Sequence, residues 1–248
     1  MMNNISRDLI TCNQLNKWYG NLHALKNVNL KINKGEVIGL IGDNGAGKST
    51  LIKIMCGVHS LDKGEIYFEG KKVNIKNPKI AMDLGIETIH QYNTMFQEMS
   101  IARNVFVGRE PKKFGLNSLS VLDEEKMNIE SMKAINDVGL DLRSPHIPVK
   151  ELSGGEKQGV AIARSMYFKS KMLILDEPTN HLSVKETLKV LEYVQSLKSM
   201  GIGGIFISHN LYHVHEIADR IVGMARGEKV CDMNKEETTV NELIKLIG

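Results

Sequence analysis

Three kinds of apolar pattern run along this chain. Short stretches rich in apolar and β-branched residues at 36–41, 86–89, 172–175 and 205–208 have the length and flanking turns of buried strands. Between them apolar positions recur at helical spacing, as in Val184, Leu188, Leu191, Val194 and Leu197, and again in Leu211, Val214, Ile217 and Ala218. Strict alternation in Val28, Leu30 and Ile32, and in Ile66 and Phe68, predicts half-buried strands with turns at Lys34-Gly35 and Lys63-Gly64. Buried strands alternating with helices imply an α/β sheet, and the alternating strands imply an antiparallel flap on it.

The texture changes between about 92 and 150, where strand-like runs vanish. There Glu124 to Val138 has a helical pattern, flanked by the turn-rich KKFGLNS and by Pro145 and Pro148. Because strands of the same kind resume afterwards, the expected organisation is one domain over 1–248. Its core spans about 1–91 and 150–248, and a helical subdomain at about 92–149 is inserted into it. The final helix, Val240 to Ile247, starts with Thr239-x-x-Glu242, the pattern of a capping box.

Composition narrows the class. With 42% hydrophobic and 25% charged residues in 248 positions, the chain can bury a sizeable core, which excludes a disordered or collagenous protein. A net charge of +3 with no dense Lys/Arg block gives no footprint for nucleic acid, so none is expected as a partner. Cys12, Cys56 and Cys231 are widely spaced with no C-x-x-C pair, which reads as buried free thiols in a reducing compartment. The N-terminal residues carry no basic-then-apolar signal, and no apolar run reaches the length of a membrane span. Membrane association is therefore expected only through a partner.

Candidate chemistry begins at GDNGAGKST, between the strand at 36–41 and a predicted helix at 50–56. Small residues let backbone N–H groups converge on an anion, and the new helix adds a partial positive charge at its N-terminus. Gly42, Asp43, Asn44, Gly45, Ala46, Gly47, Lys48, Ser49 and Thr50 thus form a P-loop phosphate cradle. Lys48 supplies a point charge to the outer phosphates, and the Ser49 hydroxyl suits the Mg²⁺ of a nucleoside triphosphate.

A second stretch, LSGGEKQGVAIARSMYFKSKMLILDEPT, ends an apolar strand on Asp176 and Glu177. In such sheets, strand C-termini meet ligands. Asp176 suits support of Mg²⁺, and Glu177, one residue farther, can polarise an attacking water toward the γ-phosphate. Ser153-Gly154-Gly155 opens a predicted helix over 156–168, whose N–H groups offer a second anion site. That site can serve the nucleotide of its own chain or that of a second chain, and sequence geometry leaves both open.

LSGGE followed about twenty residues later by LILDEPT, behind a P-loop and ahead of Ser208-His209, resembles an ATP-binding cassette ATPase over essentially the whole chain. The resemblance implies an α/β fold. Its core is a P-loop NTPase (RecA-like) core, carrying an N-terminal antiparallel β subdomain and an inserted α-helical subdomain. It further implies that Ser153, Gly154, Gly155 and Glu156 meet ATP held by a partner subunit, giving a head-to-tail homodimer that encloses two ATP. By the same resemblance Gln91, in IHQYN, is a catalytic-loop glutamine that joins Mg²⁺ to the lobe facing the transporter. His209, in FISHN, is the switch histidine that orients Glu177 and the water, and it is not read as one of a zinc pair with His213. Tyr19, in KWYG, is the aromatic that stacks on adenine, with Trp18 beside it as a competitor.

Two departures from the family pattern stand out. Asn180-His181-Leu182-Ser183 follows DEPT where an acidic residue often ends the loop, and Tyr92 follows Gln91 where close relatives often carry an acid. A finer resemblance lies in ARNVFVGRE, DEPTNHLSVKET and FISHNLYHVHEIADR, which are similar to the ATPases of bacterial monosaccharide importers of the ribose, xylose and fructose group. The single-cassette form, ending at Gly248 without a regulatory domain, is the one this chain resembles. The implied partners are a transmembrane permease and, indirectly, an extracytoplasmic sugar-binding protein, with the chain peripheral on the cytoplasmic face of the membrane. A soluble ATP-switched scaffold on nucleic acid or ribosomes, and a nucleotide sensor without turnover, are the rival classes. Glu177 argues against the sensor.

Overall fold

In the segment Leu22–Asn33, Val28, Leu30 and Ile32 are each no more than 2% exposed while their neighbours face outward, so the predicted alternation makes one face of the core. The computed structural model describes residues 7–90, 95–114, 120–180 and 182–247. Along the chain the strands are β1 (Asp8–Tyr19), β2 (Leu22–Asn33), β3 (Val37–Ile41), β4 (Lys63–Phe68), β5 (Lys71–Val73) and β6 (Ile86–His90). They continue with β7 (Lys112–Phe114), β8 (Val121–Leu122), β9 (Met172–Asp176), β10 (Gly203–Ile207), β11 (Arg220–Ala225) and β12 (Glu228–Asn234). The helices are α1 (Lys48–Met55), α2 (Pro78–Leu84), α3 (Ile101–Phe106), α4 (Glu124–Asp137), α5 (Gly154–Tyr167), α6 (Val184–Ser199), α7 (Leu211–Ile217) and α8 (Val240–Ile247).

One compact unit comprises Met1–Thr88, Ser170–Pro178 and Leu191–Gly248. It holds an antiparallel sheet of order β2-β1-β4-β5 and a six-stranded sheet of order β12-β11-β3-β10-β9-β6. All five residues of β3 are buried, because β10 and β11 flank it in parallel and the strand has no solvent-facing side. Register places Ile207 opposite both Leu40 and Asp176, so β3, β9 and β10 finish at one level. That common edge positions the candidate chemistry, since the P-loop follows β3, Glu177 follows β9 and Ser208-His209 follow β10. The start of β3 is pinned by the Val37 N–H, which donates to the Asp219 carboxylate at 2.8 Å.

The other unit comprises Ile89–Lys169 and Thr179–Val190. Its core gathers Phe106 from α3, Met127 and Ile135 from α4, and Val160 and Ala163 from α5. The apolar face of α5 packs into the same cluster as α3 and α4. Asn104, 2% exposed, organises the chain before α3: its Nδ2 donates to the carbonyls of Phe96, Met99 and Ser100, and its Oδ1 accepts from the Phe96 N–H. The Arg164 guanidinium, on α5, donates in turn to the carbonyls of Asn104 and Val107 at 3.0 and 3.1 Å.

Several expectations need correction. Lys63-Gly64 is no turn but the start of β4, where Gly64 takes φ 111° and lies so close to the Asn13 and Gln14 carbonyls that a Cβ would collide with them. Within the expected strand-free stretch, β7 and β8 pair as a short antiparallel ribbon. On α6 the apolar stripe is buried only from Leu191 onward; Val184 and Leu188, in its first turns, are 80% and 51% exposed. Of the three thiols, Cys12 and Cys56 are buried, with burial pushing them up to about 12 and about 11, whereas Cys231 is only half-buried.

Candidate functional site

The loop after β3 is shaped by close approach. Gly42 adopts φ 143° with its α-carbon against the Met224 carbonyl, where a Cβ would lie 2.2 Å away, so no larger residue fits. Gly47, at φ 104°, turns the chain into α1 and caps it without a side chain. The loop is held from outside by the Gly227 N–H, which donates to the Ala46 carbonyl at 2.9 Å. Within the loop the Ala46 N–H is taken by the Asp43 carbonyl, and Asp43, Asn44, Gly45 and Ser49 are exposed.

Lys48 turns its ammonium back onto this loop, donating to the carbonyls of Gly42 at 2.5 Å and Asp43 at 3.0 Å. Burial pulls the ammonium below the usual lysine range, while the carboxylates of Glu177, Asp43 and Asp176 oppose that shift. A half-buried cation among three carboxylates is poised to exchange carbonyl partners for phosphate oxygens, which offer it full negative charge.

Glu177 stands at the end of β9 with φ 54°, a left-handed conformation that costs a glutamate on the order of 1–2 kcal/mol. Its N–H donates to the Ile207 carbonyl at 2.9 Å, which fixes the turn and aims a side chain only 12% exposed along the sheet edge. One carboxylate oxygen lies 3.4 Å from Nε2 of His209, and the other accepts from the His209 N–H at 3.3 Å. His209 precedes α7 and so does not share a helical face with His213, which instead pairs with the Asn210 side chain. Strained backbone at a carboxylate beside a histidine is the arrangement expected where a water must be oriented.

The two candidate aromatics separate. Trp18 stacks on His23 at 4.1 Å with Lys63 over its ring at 5.5 Å, whereas Tyr19 meets His59 edge-on, has the Lys17 ammonium over its ring at 5.7 Å and stays 40% exposed. Of the two, Tyr19 has no stacked ring partner among the described residues, which leaves it the better placed for a planar ring.

In the helical unit, Ser153 caps α5: its Oγ accepts from the Glu156 N–H, and the Glu156 carboxylate accepts from the Ser153 N–H at 2.8 Å. Glu156 therefore holds the helix start. A residue that sequence reasoning missed, Glu186, accepts the Gly155 N–H at 2.8 Å. Ser183-x-x-Glu186 has the same capping pattern as Thr239-x-x-Glu242, so its role at the start of α6 was readable, but its reach to Gly155 was not. Gln91 lies outside the described residues, as do Tyr92 and His181.

Residues 25–180 match the family described as ABC transporter. The chain is 43% identical over 240 residues to the xylose/arabinose import ATP-binding protein XylG of Sulfolobus acidocaldarius, covering 97% of this chain and 94% of that one. It is 39% identical to the ribose import ATP-binding protein RbsA of Caldanaerobacter subterraneus over 94% of its length, but spans only 46% of that relative. Among solved structures, a nucleotide-free ATP-binding cassette from an ABC transporter superposes with a TM-score of 0.83 at 27% identity, over 96% of this chain and 95% of that one.

Proposed function

The chain belongs to the ABC transporter family, and from that premise we propose that it is the ATPase subunit powering import of a small sugar through a membrane permease. The observation that carries this reading is the sheet edge where the P-loop, Lys48, Asp176 and the Glu177–His209 pair come together. P-loop amides and Lys48 hold the triphosphate; Tyr19 stacks on the base. Glu177 takes the proton of the attacking water, and His209 holds that carboxylate and meets the γ-phosphate. The exposed Ser49 hydroxyl and the Asp176 carboxylate are hard oxygen donors of the kind Mg²⁺ takes, and these two residues would hold it. Bound there, Mg²⁺ would supply charge neutralisation at the outer phosphates; Gln91 is proposed as a further ligand.

Relatives named for import of xylose, arabinose and ribose support a monosaccharide as cargo. No helix among the described residues is long and apolar enough to cross a membrane; the proposed permease is a transmembrane partner. We place the chain peripherally on the cytoplasmic face as one cassette domain over 1–248, with 92–149 as the inserted helical part. It works as a homodimer with two ATP between the P-loop of one chain and Ser153, Gly154 and Gly155 of the other, and an extracytoplasmic sugar-binding protein feeds the permease. No nucleic acid takes part. The test is reconstitution with a candidate transmembrane permease: vesicles with ATP on the subunit's side should take up labelled pentose. Uptake that persists unchanged with Glu177→Gln overturns the reading.

A further inference from the structure

The start of α5 already holds an anion, and it belongs to the chain itself. Oε1 of Glu186 accepts the Gly155 N–H at 2.8 Å, while Oε2 accepts the Ser183 N–H at 2.9 Å and the Ser183 hydroxyl at 2.8 Å. Contact is close enough that a Cβ on Gly155 would lie 2.6 Å from the Glu186 side chain. Hydrogen bonds from the Ser183 and Gly155 amides come first among the causes that hold the carboxyl down to about 2, so it is charged throughout the physiological range.

Under the proposed function, the Ser153 hydroxyl and the Gly155 N–H are donors for the γ-phosphate of a second chain's ATP. We propose that Glu186 is a resident anion on the second of these donors, the Gly155 N–H, and that the incoming triphosphate must displace it, so that its charge sets the ATP concentration at which two chains close. This rests on the shared-site reading above. The physical argument is like-charge competition. A carboxylate and a γ-phosphate directed at the same amide repel each other at hydrogen-bonding range, and both gain from the same helix N-terminus. While the chains are apart the carboxylate keeps the small-residue turn in its anion-binding shape; on closure the more highly charged phosphate takes over and Glu186 retains Ser183 at its own helix start.

Glu186→Gln separates charge from shape, since an amide oxygen can still accept from Gly155 or Ser183 without repelling phosphate. In a Glu177→Gln background that blocks hydrolysis, light scattering against ATP concentration gives the midpoint of dimer formation. We expect the added Glu186→Gln to lower that midpoint about five- to tenfold at low salt, the size of one partly screened charge contact. The gap should close as ionic strength rises to about 1 M, where the Debye length falls to about 3 Å. Glu186→Ala, which removes the acceptor as well, should shift the midpoint in the same direction and guards against a fold-specific effect of the amide. A midpoint that is unchanged or raised in both variants, or a shift indifferent to salt, overturns the proposal while leaving the shared site intact. If the Glu177→Gln parent itself never dimerises with ATP, the shared-site reading fails and this proposal falls with it.

Discussion

The ring Nε2 of His209 lies 3.4 Å from one carboxylate oxygen of Glu177, while the backbone N–H of His209 donates to the other oxygen at 3.3 Å. One residue thus grips both oxygens of the carboxylate, with its ring and with its backbone. Glu177 is 12% exposed at its side chain and His209 62%, so the histidine is the member of the pair that solvent, or a phosphate, can reach.

Glu177→Gln should therefore bind ATP normally and hydrolyse it slower by a factor of about 10² or more, as expected for a lost general base. The His209 N–H can still donate to an amide oxygen, so the geometry survives and only proton acceptance is lost. Nucleotide affinity and steady-state phosphate release, measured on the same sample, must separate. Turnover at the parent rate means that the water is activated elsewhere.

Lys48→Ala should remove most ATP affinity without unfolding the chain. In the structure Lys48 bonds only to carbonyls of its own loop, and burial already disfavours its charge, so its removal costs the fold little. Its charge matters once phosphate arrives. Fluorescence titration with a labelled nucleotide, alongside a thermal melt, tests both halves of the statement; undiminished affinity would refute the cradle.

How much of this was legible follows from how each element is held. β3, β9 and β10 are buried on both faces, so their apolar runs stand out in the sequence. β1 was not readable: its buried positions do not alternate, because register shifts interrupt its pairing between Cys12 and Lys17, and Gln14 takes φ 49°. The hairpin of β11 and β12 closes on Arg226-Gly227, with φ 50° and 84°, where no Asn-Gly or Asp-Gly marks the turn. At the site, the P-loop, Asp176, Glu177 and His209 could be read because each follows a buried strand. Glu186 could not, because its function depends on a partner about thirty residues away in sequence, which no local pattern encodes.

Asn104→Ala should destabilise the helical unit by about 1–3 kcal/mol: it leaves the Phe96 N–H without the Asn104 Oδ1 and removes side-chain donors from the carbonyls of Phe96, Met99 and Ser100, which keep their backbone donors, all around a 2% exposed position. A thermal melt resolved by hydrogen exchange should show protection lost over residues 96–106 while β3 and α1 keep theirs. Uniform loss across both units would mean that they unfold as one.

The isolated chain should be monomeric without nucleotide and should dimerise with ATP when Glu177→Gln blocks hydrolysis, because ligand binding to the closed form alone shifts the equilibrium toward it. Light scattering over a wide range of protein concentration decides this. A size independent of ATP counts against the sandwich.

Whether Ser153-Gly154-Gly155 serves its own chain's nucleotide or a partner's is decided by mixing two damaged chains, Lys48→Ala and Gly154→Asp, both in the Glu177→Gln background. Gly154 faces only the tip of Leu182 at close range, so the aspartate acts chiefly by setting a negative charge where phosphate should bind. Each homodimer then has two damaged sites. If sites are shared across the interface, a mixed dimer pairs the sound P-loop of the Gly154→Asp chain with the sound Ser153-Gly154-Gly155 turn of the Lys48→Ala chain. One intact site results, and the other carries both lesions. Were each site built within one chain, every site in the mixture would keep one lesion and mixing would restore nothing. The expected result is about one trapped ATP per mixed dimer, the integer stoichiometry of a single intact site, and almost none in either parent, measured by filter retention of labelled ATP. Equal, negligible retention in all three samples refutes the shared site.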